Sequence, residues 1–313
     1  MEYCNDAEKK LMEMYDSIRL GDNPICQECK ASVPEFSMPV SAWVVGNHFY
    51  EHEKRVLFVG KTARSDPGDV YGSYRTAFHV TRELLWEKSW AYWSYTGGIT
   101  EALYGEDSPE HIAFTNMVKC NDSPDIDTTS ELVKKNCVCR LKVLKREISV
   151  IQPTHIVFYT NRDYDNVLPE AFDAFRILQD ETVPVGQRSM PWMEAEGSIG
   201  GRGYRILRIG HPQYKKRDEF IRLVCSWVND TAPMLKAESL GGPGGSISTR
   251  RSGFRKERGL MKHVGYPDKP VASITEDLFH VEVYVDALCQ FIETCDTPMT
   301  VSIQATPAAA RPV

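Results

Sequence analysis

No run of 18 apolar residues occurs in the sequence, and its opening MEYCNDAEKK lacks the basic-then-apolar order of a secretory signal. A membrane-spanning helix is therefore not expected, and the expected compartment is the cytoplasm. The nine cysteines are odd in number, and without an export signal they read as reduced thiols or metal ligands rather than a disulfide framework. Cys26 and Cys29 form one C-x-x-C with no second pair at matching spacing to close a four-coordinate metal site. The glycine-rich GGPGGS lacks the Gly-Lys-Ser/Thr ending of a phosphate-binding loop, so no nucleotide cofactor is expected. Positive charge is not in excess either: 37 Lys and Arg stand against 43 Asp and Glu, which excludes bulk attraction to nucleic acid and leaves only local basic faces.

What the chain does have is a repeated design. Arg55–Asp66 reads RVLFVGKTARSD, an apolar run that ends in glycine and passes into a polar turn. HIAFTNMVKC at 111–120, THIVFYTN at 154–161 and YRILRIGHPQ at 204–213 repeat it, each stopping at Asn, Lys or His. Buried parallel strands read this way, and ligands bind outside their carboxyl ends. If the four runs lie side by side, Gly60–Asp66, Asn116, Lys119, Asn161 and His211 converge on one crevice.

Helical periodicity appears between the runs. Leu11, Met14, Tyr15 and Ile18 share a face within residues 2–20, and Leu141, Leu144, Ile148 and Ile151 form a stripe before the third run. Phe78, Thr81, Leu84 and Leu85 line a helix after a loop that carries Tyr71 and Tyr74, and Phe220, Val224 and Val228 line a last one. The aromatic-rich stretch 89–110 reads as an unassigned connection. Residues 165–203, with Pro169, Pro184, Pro191 and GSIGGRG, read as a helix and a long surface excursion. Composition shifts at Asn229 to Gly and Ser and then to base. Arg250, Arg251, Arg255 and Lys256 there read as a linker that touches a DNA backbone or as a plain solvated one. The expected divisions are an N-terminal arm over 1–53, an α/β domain over 54–228, a linker over 229–270, and a small element with a disordered tail over 271–313.

VLFVGKTAR, FTNMVKCN and RIGHPQ, in that order, resemble the strand-end motifs of the uracil-DNA glycosylase superfamily, and NCVCRLKVLKREISVIQPTHIV is similar to its intervening helix and third strand. The likeness covers roughly residues 26–228. It implies a three-layer sandwich around a central four-stranded parallel sheet, and a monomer that acts on DNA by excising a flipped, altered pyrimidine. It is closest to the superfamily's iron–sulfur-bearing branch. That branch implies a structural 4Fe-4S cluster, or zinc, on Cys26, Cys29, Cys120 and either Cys137 or Cys139.

Cleavage of a base–sugar bond leaves negative charge on the base and positive charge on the sugar, so a donor and an acceptor are required. His211, stiffened by Pro212, is the expected donor. Asn116 can read a base edge, Tyr74 can stack on its face, and Gly60, Ala63 and Asn161 complete the pocket. Arg64, Lys119 and Gln213 are expected to meet DNA together with the four basic linker residues. The sequence departs from the family at Gly60-Lys61-Thr62-Ala63, where the family carries a carboxylate or amide after the glycine and then a proline. That leaves Asp66, Lys61 and Thr62 as catalytic candidates, Lys61 either holding phosphate or attacking as an amine. The roomier turn implies a modified pyrimidine, such as a hypermodified phage base, and hence a role in antiphage defence. Two further readings are a non-catalytic module that binds modified bases and a phosphate- or nucleotide-binding regulator.

Overall fold

The computed structural model describes residues 5–32, 42–62, 74–86, 90–121, 129–213 and 215–231. The strands are β1 (Val44–Val45), β2 (Val56–Gly60), β3 (Ala113–Asn116), β4 (His155–Phe158), β5 (Ala174–Val185), β6 (Arg188–Ile199) and β7 (Arg202–Ile209). They form one sheet in the order β1-β3-β2-β4-β7-β6-β5. The four apolar runs are its centre: β3, β2, β4 and β7 pair in parallel, with Gly60 beside Asn116 and Val59 beside Phe158. The sheet is nevertheless not the expected four-stranded parallel one. It is mixed and has seven strands, because β1 adds antiparallel to β3 and the β5–β6 hairpin adds antiparallel to β7.

The strand period of two sorts the core residues. Leu57 and Val59 face one cluster with Ile156, Phe158 and Ile206, while Val56 and Phe58 face another with Val157, Leu207 and Ile209. The first cluster is covered by α1 (Asp6–Ser17), α2 (Pro24–Ser32), α3 (Ala77–His79), α5 (Glu131–Lys134) and α6 (Val143–Ile151). The second is covered by α4 (Ala91–Tyr104) and α7 (Arg217–Val228). Each fully buried Leu, Ile or Phe contributes about 1.5–3 kcal/mol relative to exposure, so covering both faces is what lets strands this apolar persist in water. α1 starts where Asn5 and Glu8 close a reciprocal cap, and it buries Leu11 and Tyr15 as its spacing predicts.

Two expectations are corrected. The stretch 165–203 holds a short 3-10 turn at Leu168–Ala171 and then the long hairpin, not a helix and an excursion. Its prolines are tolerated because β5 is an edge strand, and because the β6–β7 ladder begins at Trp192, one residue past Pro191. The unassigned stretch 89–110 forms α4, which buries Trp93, Tyr95 and Ile99. π-helical turns follow α3 at Val80–Leu85 and α5 at Lys135–Arg140. The basic linker beyond Thr231 and the element over 271–313 lie outside the described residues. Among the described residues, no helix is long and apolar enough to cross a membrane.

Candidate functional site

The strand ends meet as their register requires. The amide of Met117 donates to the Gly60 carbonyl at 2.8 Å, that of Val118 to Lys61 at 3.2 Å, and that of Asn161 to Ile209 at 3.0 Å. Gly60 is needed for close approach: a Cβ there would lie 2.5 Å from Asn116 Oδ1 and 3.1 Å from the Tyr92 hydroxyl. Asn116 is 3% exposed, and its Nδ2 donates to the Ala42 carbonyl at 3.2 Å. Its carbonyl side therefore faces the Gly60 turn. His211 follows β7, and its Nδ1 accepts the Gln213 amide at 3.2 Å. In a neutral imidazole that bond places the remaining proton on Nε2, which makes Nε2–H the donor side of the ring. Pro212 is buried behind it and Gln213 is exposed.

Beneath these groups lies Tyr92, which the sequence reading missed. Its ring is 5.6 Å from His211, 5.0 Å from Tyr159 and 5.5 Å from Phe114. Its buried hydroxyl makes no hydrogen bond among the described residues. Burial holds the phenol well above its usual pKa, so it remains a proton donor. The only signal in the sequence is the aromatic run WAYWSY, which spacing alone does not tie to the crevice.

Lys61 Nζ lies 2.7 Å from Asp163 Oδ2, and this bridge joins the ends of β2 and β4. To attack a sugar carbon as an amine, Lys61 would have to open this pair and lose a proton. Thr62 Oγ1 donates to the Cys120 carbonyl at 2.9 Å and so braces the turn. Tyr74 is directed elsewhere: its hydroxyl donates to Asp16 at 2.7 Å and its ring packs 5.3 Å from Tyr15, both on α1. Stacking on a base is not what this position supports.

Lys119 is corrected more sharply. It is fully buried, and Nζ donates to Thr115 Oγ1 at 2.7 Å, to the Asn116 carbonyl at 2.6 Å and to Glu147 Oε2 at 2.7 Å. All three ammonium protons are used, so Lys119 has nothing to offer a phosphate. Asp66, Ala63 and Arg64 lie outside the described residues, as do Arg250, Arg251, Arg255 and Lys256.

A second cluster forms where α2, the end of β3 and the π-turn meet. Cys26, Cys29, Cys120 and Cys137 line one void of about 10 Å³ together with Leu20, Ile25, Val133, Asn136 and Leu141. Cys139 does not line it. Cys26 Sγ accepts N–H bonds from Gly21 at 3.3 Å and Asn23 at 3.2 Å, and Cys29 Sγ accepts one from Asn136 at 3.1 Å. Burial raises the pKa of all four thiols, with Cys137 pushed up to about 12, while nearby Lys119 pulls that one down. The soft, buried donor set with N–H support fits a thiolate-held metal, which would displace the thiol protons. As the side chains stand, no three Cys, His, Asp or Glu among the described residues take up metal-binding geometry.

No protein-family model and no curated protein matches the chain.

Proposed function

We propose that the chain is a DNA glycosylase on a uracil-DNA glycosylase-like sandwich, extruding an altered pyrimidine and cleaving its bond to deoxyribose to leave an abasic site. One observation carries this reading: the His211 imidazole, whose Nδ1 accepts the Gln213 amide, packs 5.6 Å from the Tyr92 ring at the strand ends that also hold Gly60, Asn116 and Lys61. A donor fixed at a strand end stabilises negative charge that develops on a departing base. Asn116 presents its carbonyl side toward the same place and supplies hydrogen-bond discrimination of the base edge. The turn after Gly60 lacks the acid and the proline that restrict the pocket in the resembled family, so a substituted pyrimidine, such as a hypermodified cytosine of phage DNA, is the favoured substrate over uracil. A cytoplasmic defence role follows from that substrate. The four thiols around the void at α2 would hold a 4Fe-4S cluster or zinc as a structural staple, because all four are buried around one small void.

The test is a screen of purified protein against duplexes that carry uracil, oxidised pyrimidines and bulky modified cytosines, scored for alkali-labile sites. Excision of a modified cytosine faster than uracil is expected. His211→Ala should lower excision by about 100-fold or more while far-ultraviolet circular dichroism is unchanged. Full activity in that variant, or no excision from any duplex by the wild type, would sink the reading.

A further inference from the structure

Hydrolysis of a base–sugar bond needs an acceptor for the proton of the attacking water, and the turn after Gly60 supplies no acid at its first positions. Among the described residues, an acid stands against Lys61 from the turn of the neighbouring strand. Asp163 lies in the turn after β4, with its side chain 31% exposed, and its Oδ2 is 2.7 Å from Nζ of the far more buried Lys61, at 11%. The main chain around it is pinned: its amide donates to the Thr160 carbonyl at 3.3 Å, and its own carbonyl takes Lys134 Nζ at 2.7 Å. An ionised carboxylate has about four lone-pair directions. One bridge from Lys61 fixes its orientation and leaves capacity for a water on its wetter side.

The other acid of this turn is committed elsewhere. Asp165 faces fully buried Arg208, with Nε at 3.0 Å from one carboxylate oxygen and Nη2 at 3.0 Å from the other. Asp163 is thus the acid of this turn placed at the junction of β2 and β4. Resting on the glycosylase reading, we propose that Asp163, oriented by Lys61, is the general base of the reaction. The C1′–N bond breaks and its electron pair leaves on the base, whose oxygen accepts a hydrogen bond from His211 Nε2–H. Water forms the new C1′–O bond and its proton passes to the Asp163 carboxylate, which later releases it to solvent. Until that bond forms, the same carboxylate faces the cationic sugar.

The full-length protein tests this through two readouts. Binding is measured to duplexes with a neutral tetrahydrofuran or a cationic pyrrolidine at the abasic position, and excision on the best substrate of the screen. The wild type should bind the pyrrolidine duplex about tenfold tighter or more, as a mimic of the transition state. Asp163→Asn should keep the tetrahydrofuran affinity, which shows that it is folded, lose the pyrrolidine preference, and lose about 100-fold or more in excision. Asp163→Glu should restore part of both. Lys61→Met, which removes the orienting bridge, should weaken the pyrrolidine preference. Asp163→Asn with the preference or the excision rate intact overturns the assignment alone. Wild-type protein that excises nothing overturns the glycosylase reading, and this assignment with it.

Discussion

Lys119 and Glu147 have no solvent contact, and an ion pair taken wholly from water persists only where every lone pair and proton is matched. Here the matching is complete on the cation and extends beyond the anion. Glu147 Oε1 accepts the Tyr15 hydroxyl from α1, and Oε2 accepts Lys119 and Thr115. One network therefore ties β3, α6 and α1 together beneath the crevice. Lys119→Met would leave Glu147 buried without its counter-charge, at a cost of about 3–5 kcal/mol. The double variant Lys119→Met/Glu147→Leu should lose clearly less than the sum of the two single losses in urea denaturation. Additive losses would show that the two charges act independently. Residue identity alone could not separate Lys119 from a DNA contact. It follows Val118 at the end of an apolar run, and only the register that turns it inward toward Glu147, 28 positions later, decides.

Among the elements, the central strands were legible because burial on both faces demands continuous apolar runs, and α1, α6 and α7 because one covered face imposes the period of a helix. The β5–β6 hairpin was not legible, for the complementary reason. Along most of β5 both faces meet solvent, and the bulge between Ile177 and Gln179 lets Ile177 and Leu178 both stand exposed, so no alternation is written into the sequence. α4 was hidden by Gly97-Gly98, which reads as a break. In the fold these glycines admit Asp107 and the α7 side chains Arg217 and Ile221 against the helix, so they serve packing. Hairpin turns give a cleaner test of backbone demands. Gly186 has φ 63° with Lys216 Cβ 2.8 Å from where its own Cβ would fall, whereas Gly200 has φ 57° and open space. Gly200→Ala should cost about 1 kcal/mol from the left-handed backbone alone, and Gly186→Ala distinctly more. Thermal unfolding of the two variants measures the difference, and equal losses would mean that Lys216 simply moves aside.

For the whole molecule, the void at α2 bears most on stability. It lies among segments far apart in sequence, so a metal bound there favours the folded chain by mass action and closes long loops at once. Protein purified without oxygen should carry iron or zinc, with a brown colour for a cluster, and a chelator should lower its melting temperature. Cys137→Ser should abolish the bound metal, while Cys139→Ser should not, since Cys139 sits off the void near Glu170. Equal metal content in both variants would refute that placement. Spacing could not choose between the two cysteines because the π-turn Lys135–Arg140 carries both and shifts which side chain turns inward.

Cys120 belongs to both halves of this arrangement. Its thiol lines the void, and its carbonyl receives the hydroxyl of Thr62 at 2.9 Å, one residue beyond the Lys61 that holds Asp163. A single peptide unit is thereby shared between the two sites, and such sharing runs in both directions. Whatever factor an occupant of the void adds to the affinity of the crevice, a ligand in the crevice returns to the affinity of the void. Metal retention titrated against modified duplex thus becomes a reading of how stiffly that one peptide couples them.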